Sequence, residues 1–124
     1  MYAPGVPTPH AIDYIEISVT DIEAAKRFYA AAFGWSFNAY GPDYAGIVAP
    51  GKDGEAGGLR LVDEVTRGGP LVVLYSETLE ATCAAVEAAG GQIIAPIFEF
   101  PGGRRFQFLD PSGNELAVWG PALA

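Results

Sequence analysis

The residues best suited to chemistry in this 124-residue chain are a carboxylate and a guanidinium in predicted strands. Glu16 alternates with Ile15 and Ile17, so it lies on the strand face opposite the two isoleucines. A buried ionised carboxylate is costly unless it is paired, and Arg60, in a later strand, is a candidate partner. Two interpretations stay open. The two residues form a structural ion pair, or Arg60 orients a ligand's carboxylate or enolate while Glu16 acts as a general base.

A second group of candidates would form the walls of a ligand-binding cleft. The aromatic members are Tyr14, Tyr75, Trp119 and one or both of Phe106 and Phe108. Such residues often only fill a concave sheet, but in an open cleft they suit flat or apolar ligands, with Glu16 and Glu115 available for a cationic group. Further apolar surface without reactive atoms would come from Leu71, Val73 and Ala117.

Other common catalytic arrangements are excluded or disfavoured. The only histidine, His10, and the only cysteine, Cys83, cannot supply a Ser/His/Asp or Cys/His system, and Cys83 is predicted to be a core residue of a helix. The paired glycines at 57–58, 68–69, 90–91 and 102–103 lack the context of a phosphate loop and predict turns. Arg104 and Arg105 follow one such pair, which favours a solvated hairpin end over an anion site.

An internal repeat with an offset of 57 residues indicates how these side chains are positioned. The segment TDIEAAKRFYAAA, which begins at Thr20, corresponds to ETLEATCAAVEAA, which begins at Glu77. Each segment has an apolar stripe at the three-to-four spacing of a helix with one buried face. Two copies of one supersecondary unit predict a pseudo-two-fold structure with a cleft between the copies.

The repeat predicts two βαβββ modules, at about 11–62 and 71–120, joined by a polar linker at 63–70. In the first module, a strand at 12–19 leads into a helix that begins at a Thr20/Glu23 capping box and ends at Gly34, and strands follow at 35–40, 44–49 and 58–62. The second module repeats this order with a strand at 71–76, a helix at 79–89 and strands at 92–97, 104–109 and 114–119. The sequence Asp-Pro-Ser-Gly at 110–113 predicts a tight turn between the last two strands.

Composition limits the class of protein. Seven basic and fifteen acidic residues give a net charge of −8, which opposes binding to nucleic acid or to an anionic membrane. Half of the residues are apolar, so residues 1–124 are expected to form one domain with a core and without a disulfide framework. The first ten residues, MYAPGVPTPH, lack the features of a signal peptide and predict an extended arm, and no apolar run is long enough for a membrane span. These features favour a cytoplasmic protein.

The segments IEISVTDIEAAKRFYAAAFGW and RFQFLDPSGNELAVW resemble the vicinal oxygen chelate superfamily, which is the group of glyoxalases, bleomycin-resistance proteins and extradiol dioxygenases. The resemblance covers about residues 11–120 and implies an α+β fold in which two βαβββ modules form curved mixed sheets around a cleft, with the helices outside. It also implies a homodimer, and the modules could pair within or between chains.

In metal-using members of this superfamily, the first and last strands of the modules contribute inward-facing His, Glu or Gln side chains to one divalent ion. The resemblance and the repeat together place these positions at Tyr14, Arg60, Leu71 and Ala117. None of the four is an ordinary ligand of a divalent ion, so we expect no metal and no cofactor. A rebuilt site would require His10 to fold back over the cleft toward the oxygen donors Glu16, Tyr75 and Glu115.

The resemblance therefore predicts a metal-independent protein that binds a small molecule, similar to the drug-sequestering resistance members of the superfamily. The ligand would be apolar or aromatic, and a cationic group could be accommodated. The alternative is a lyase or isomerase that uses Glu16 as an acid or base together with Arg60 or Tyr14. A third possibility is an accessory domain that acts only through another protein.

Overall fold

The computed structural model describes residues 8–48, 50–51 and 54–123. The described residues do not include residues 1–7 of the predicted arm, Ala49 at the end of a predicted strand, or the turn residues Lys52 and Asp53. The elements of the first module are β1 (Ile15–Val19), α1 (Ile22–Phe33), β2 (Ser36–Ala39), β3 (Tyr44–Val48) and β4 (Gly57–Leu61). Those of the second module are β5 (Val72–Tyr75), α2 (Leu79–Ala88), β6 (Gln92–Phe100), β7 (Gly103–Leu109) and β8 (Glu115–Gly120).

Each module forms one four-stranded mixed sheet. The strand order is β1-β4-β3-β2 in the first sheet and β5-β8-β7-β6 in the second. The pairs β1·β4 and β5·β8 are parallel and the remaining pairs are antiparallel. This topology confirms the predicted α+β fold of two repeated βαβββ modules.

The first helix begins one residue later than the capping box predicts. The N-cap is Asp21, whose side chain accepts a hydrogen bond from the Ala24 backbone N–H at 3.0 Å. The backbone N–H of Thr20 instead donates to Ser112 Oγ at 3.0 Å, so Thr20 joins the two modules. The end of α1 is as predicted, because Gly34 adopts a left-handed conformation with φ of 74°.

One hydrophobic core joins both sheets and both helices. Phe28 and Phe33 of α1 lie against Phe108 of the second sheet, with ring centroids 6.0 Å and 5.8 Å apart. Tyr29 stacks on Trp35 at 4.7 Å, and its hydroxyl donates to Asp110 Oδ2 at 2.7 Å. The first helix is therefore fixed to the second module by apolar packing and by a buried hydrogen bond.

Alternation along the strands determines which side chains face away from this core. Ile17 and Val19 are core residues, so Glu16 and Ser18 lie on the opposite face of the first sheet. In the second sheet, Leu116 and Val118 belong to the core and the residues between and beyond them face away from it. We call the two sheet faces that point away from the core, one from each sheet, the concave side. Within the described residues, neither helix is long and apolar enough to cross a membrane.

Candidate functional site

Three adjoining pockets lie along the concave side and between the inner edges of the two sheets. The linker pocket, of about 440 Å³, lies between β1, the start of β8 and linker residues 64–68. The edge pocket, of about 380 Å³, lies between β1 and β5, and the aromatic pocket, of about 320 Å³, is lined by Val73, Phe100, Gly102, Arg105 and Trp119. Val72 lines the linker and edge pockets, and Val73 lines the edge and aromatic pockets, so neighbouring pockets share a wall residue.

A chain of polar contacts crosses the first sheet. Arg60 Nε lies 3.3 Å from Glu16 Oε1, so the expected ion pair is present, and both side chains are about half exposed. Tyr44 donates its hydroxyl proton to Glu16 Oε2 at 3.1 Å. Because that proton is used, Tyr14 must be the donor in the 2.6 Å contact between the two tyrosine hydroxyls. Burial, followed by the hydrogen bonds to Tyr14 and Glu16, raises the pKa of Tyr44, so this phenol stays protonated at neutral pH.

Two glycines make room for polar side chains over the first sheet, Gly58 for the hydroxyls of Tyr14 and Tyr44 and Gly46 for Glu55. A Cβ built on Gly46 would lie 2.1 Å from Glu55 Oε2, so this carboxylate lies directly over the sheet backbone. Glu55 accepts hydrogen bonds from Tyr40 at 2.5 Å and from Asn38 at 3.0 Å. The hydrogen bond from Tyr40, followed by that from Asn38, lowers the pKa of Glu55. Sequence reasoning missed these residues, because their approach depends on the pairing of β2 and β3 and on the glycines beneath them.

A second paired carboxylate lies at the start of β8. Glu115 accepts hydrogen bonds from Arg67 Nε at 2.8 Å and from Gln107 Nε2 at 2.5 Å. The Arg67 hydrogen bond is the largest cause that lowers the pKa of Glu115. Arg67 belongs to the linker, so this ion pair fixes the linker to the second sheet. Neither Arg67 nor Gln107 was among the residues predicted from the sequence.

The most aromatic part of the concave side is one row of four residues, one from each strand of the second sheet. The row runs Phe98, Arg105, Trp119 and Tyr75, and consecutive members are paired across neighbouring strands. The rings of Tyr75 and Trp119 are 4.8 Å apart. The guanidinium carbon of Arg105 lies 5.3 Å from the centroid of Phe98 and 5.7 Å from that of Phe100. Such distances are typical of cation–π contacts.

Several predicted site residues have a different environment from the one expected. Phe106 and Phe108 are fully buried in the core on the helix side of β7, so the prediction that they line the cleft is wrong. The residues of β7 that face the concave side are Arg105 and Gln107. The prediction of a solvated hairpin end at Arg104 is also wrong, because Arg104 is buried and forms an ion pair with Glu80.

The other predicted residues do lie along the concave side, with unequal exposure. Tyr14, Leu71, Val73 and Tyr75 have exposed fractions of 40%, 37%, 43% and 54%, and Trp119 is half-buried. Ala117 lies between them on β8 and is fully covered by its neighbours. His10 is exposed and lies in a turn with φ of 70°, and it contributes to none of the three pockets.

The strand register corrects one of the four positions implied for a metal. In the first module, Ile15 pairs with Gly57. In the second module, the repeat mate of Ile15 is Val72, which pairs with Leu116. Leu116 corresponds in the repeat to Leu59 and not to Gly57. The last strand is thus shifted by two residues between the modules, and the structural counterpart of Ala117 is Gly58, not Arg60.

The donor set at these four positions does not fit a divalent ion. Leu71, Ala117 and Gly58 offer no ligand atom, and the Tyr14 phenol is hydrogen-bonded to Tyr44. Within the described part of the chain, no three His, Cys, Asp or Glu side chains are grouped closely enough to hold a metal ion.

The fold and the hollow between its sheets define a class of protein built from paired βαβββ modules, and comparison with known proteins identifies the family. The family model described as Glyoxalase/Bleomycin resistance protein/Dioxygenase superfamily matches residues 11–118. A glyoxylase-like domain-containing protein of Didymella fabae is 33% identical over 118 residues, which cover 86% of this chain and 91% of that protein. The chain therefore belongs to the glyoxalase/bleomycin resistance protein/dioxygenase superfamily.

Solved structures agree with this assignment. A glyoxalase-related enzyme from Fulvimarina pelagi superposes with a TM-score of 0.75 at 25% identity, over 90% of this chain and 88% of that one. TnmS3, an antibiotic binding protein from Streptomyces sp. CB03234, superposes with a TM-score of 0.69 at 26% identity, over 94% of this chain and 100% of that one. Other curated relatives are longer, and the chain spans 46% to 48% of their length.

Proposed function

We propose that this protein binds a flat apolar or aromatic small molecule along its concave side and releases it unchanged. The observation that carries the proposal is the exposure of Val73 and Tyr75 beside Trp119, where the edge and aromatic pockets both reach Val73. Large apolar side chains left open to water in a concave surface are typical of ligand sites. A planar ring system would cover them and remove that surface from water.

The charges on the concave side support binding over chemistry. Glu16 is engaged by Arg60 and Tyr44, and Glu115 by Arg67 and Gln107. A cationic group on the ligand would have to displace one of these arginines to reach Glu16 or Glu115. The proposal therefore places an apolar ring system, and not a cation, beside these two carboxylates.

The relatives support the same class of ligand. TnmS3 is an antibiotic binding protein, and another relative of this chain, at 28% identity, is the anthracycline biosynthesis protein DnrV of Streptomyces peucetius. By this analogy we infer that the ligand resembles a polycyclic natural product more than a small polar metabolite.

Three further features belong to this proposal. Binding is independent of a metal, because the residues at the four positions implied by the superfamily offer one engaged phenol and no other donor. The proposal also includes a homodimer, with Leu61, which leaves 38% of its surface exposed on β4 and lines none of the three pockets, as a contact. The location is cytoplasmic, in agreement with a single free cysteine.

A second candidate function is acid–base catalysis by a lyase or isomerase. The observation that favours it is the chain Tyr14–Tyr44–Glu16–Arg60, in which two phenols and a guanidinium surround one carboxylate. Glu16 could accept a proton from a substrate carbon while Arg60 stabilises the resulting enolate.

Replacing Glu16 with Gln separates the two functions. The neutral planar probe 2-naphthamide should bind wild-type protein and Glu16→Gln with equal affinity in a tryptophan-fluorescence titration, because sequestration needs no base. Glu23→Gln, which alters an exposed carboxylate on α1, is the matched control. A substrate whose turnover falls by about 10²-fold or more in Glu16→Gln, but not in Glu23→Gln, would instead establish catalysis.

A further inference from the structure

Arg105 faces the concave side and forms no ion pair with a carboxylate of the described residues. Its Nε atom is inaccessible to solvent and has no hydrogen-bond partner in the part of the chain that the structure describes. Lys26, Arg60, Arg67 and Arg104 all form ion pairs with carboxylates. Of the Arg and Lys side chains in the described ranges, only Arg105 and the surface residue Arg27 form no such pair.

The surroundings of Arg105 hold its guanidinium in place. Phe98 and Phe100 lie 5.3 Å and 5.7 Å from it, and Trp119 is its neighbour on β8. Contacts with aromatic faces offset only part of the cost of removing a cation from water. The guanidinium thus lines the aromatic pocket as a partly desolvated and fixed positive charge.

We propose that the aromatic pocket binds an anionic group, a carboxylate or a phenolate, carried by a planar aromatic ligand. This inference rests on the function proposed above and specifies the chemical class of its ligand. The anion would accept hydrogen bonds from the planar guanidinium of Arg105, and the ring attached to it would lie beside Trp119 and Val73.

The sign of the ligand's charge follows from a comparison of the pockets. Three carboxylates line the linker pocket. Glu16 and Glu115 have arginine partners, and Glu64 is an exposed residue of the linker. Arg105 in the aromatic pocket, by contrast, forms no ion pair with a described residue. The net charge of −8 repels anions at long range, so selection for an anion has to arise from this local contact.

A matched pair of probes tests the inference. 2-Naphthoate and 2-naphthamide share one ring system and differ in charge at pH 7. Wild-type protein should bind 2-naphthoate roughly tenfold more tightly, which is the usual effect of a charge-assisted hydrogen bond. Arg105→Gln should abolish this preference, so that the variant binds both probes with similar affinity. Arg27→Gln, with the same change in net charge, should retain both the preference and the wild-type affinity for 2-naphthamide.

Each outcome of these titrations decides the proposal. A preference for 2-naphthoate that survives in Arg105→Gln, or equal binding of both probes by wild-type protein, would overturn the anion site while the proposed binding function stands. If neither probe binds, the proposed function fails and the anion site fails with it. If Arg105→Gln does not fold, Arg105→Lys replaces it, because lysine keeps the charge without the planar guanidinium. A reduced but measurable preference for 2-naphthoate in Arg105→Lys supports the site. The complete absence of that preference refutes the site.

Discussion

On the concave side of the first sheet, the Tyr44 hydroxyl fills the space that Gly58 leaves because it has no side chain. A Cβ built on Gly58 would lie 2.0 Å from Tyr44 Oη and 2.6 Å from Tyr14 Oη. Contacts this short do not occur between real atoms, so both phenols approach the sheet only because residue 58 is a glycine. The hydrogen-bond chain from Tyr14 to Arg60 depends on this approach.

We therefore predict that Gly58→Ala destabilises the protein by about 1–3 kcal/mol, the usual cost of overpacking. Urea unfolding at pH 7 measures the change. In a Tyr44→Leu background the hydroxyl is absent, so the same glycine substitution should cost clearly less, and the difference is the coupling between the two positions. An equal cost in both backgrounds would show that the Tyr44 hydroxyl does not occupy this space.

A buried hydrogen bond between the modules provides a second prediction. Tyr29 donates to Asp110 Oδ2 at 2.7 Å, and burial followed by the Asp110 charge raises the pKa of Tyr29 well above its usual range. Tyr29→Phe should lower the free energy of unfolding by about 1–3 kcal/mol, because a buried carboxylate loses a donor. Tyr75→Phe, which removes an exposed hydroxyl, is the control and should leave the unfolding midpoint unchanged. Loss of stability in both variants alike would contradict the role of the buried bond.

The ion pair between Arg67 and Glu115 predicts a dependence on pH. Its hydrogen bond lowers the pKa of Glu115 from the ordinary value of 4.5, so the pair stabilises the folded state above that value. This contribution is lost as the pH falls below 4.5 through the lower folded-state pKa. Arg67→Gln should therefore reduce stability at pH 7, by at most about 1 kcal/mol for a pair this exposed, and should have little effect near pH 2.

Denaturant titrations at both pH values measure this difference. Arg27→Gln removes a positive charge from the surface of α1 and should behave like wild-type protein at either pH. A penalty for Arg67→Gln of the same size at pH 2 and at pH 7 would show that the linker is held by packing and not by the charge of Glu115.

The repeated pattern predicts the fold well because each helix and turn carries a local signal. Periodicity identifies both helices, and Gly34 marks the end of the first. The N-cap of α1 is less certain from sequence, because Thr20 and Asp21 are both good capping residues and only the tertiary contact of Thr20 with Ser112 distinguishes them. The strand β6 extends to Phe100 past Pro96, which an edge strand tolerates because its outer N–H groups need no partner.

The site is predicted less well because strand phase is ambiguous. In β7, Arg104, Phe106 and Phe108 alternate with Arg105, Gln107 and Leu109, and each face carries one arginine. Burial of Arg104 depends on its distant partner Glu80, which no local pattern reveals. The glycine pair at 57–58 was predicted to be a turn, yet it lies in β4 and leaves the room used by Tyr44.

Metal independence predicts that divalent ions leave thermal stability unchanged. Protein dialysed against a chelator and then supplied with Mn²⁺, Ni²⁺ or Zn²⁺ should show a melting temperature within about 1 °C of the untreated sample. A larger shift with one equivalent of metal would contradict the proposal. If that shift disappears in His10→Ala, the site includes a folded-back His10, and if it persists, the donors lie elsewhere on the concave side.

The different surroundings of Phe106 and Tyr75 predict opposite effects on stability and binding. Phe106 is fully buried in the core, so Phe106→Leu should cost about 1–3 kcal/mol of stability and leave the affinity for 2-naphthamide unchanged. Tyr75 is 54% exposed beside Trp119, so Tyr75→Ala should change stability by less than about 0.5 kcal/mol but weaken binding of the probe about three- to tenfold. Leu123→Ala, an exposed apolar change outside the pockets, should alter neither quantity. If Phe106→Leu weakened binding in fully folded protein while Tyr75→Ala did not, the ligand would have to lie between the helices and the sheets, and not on the concave side.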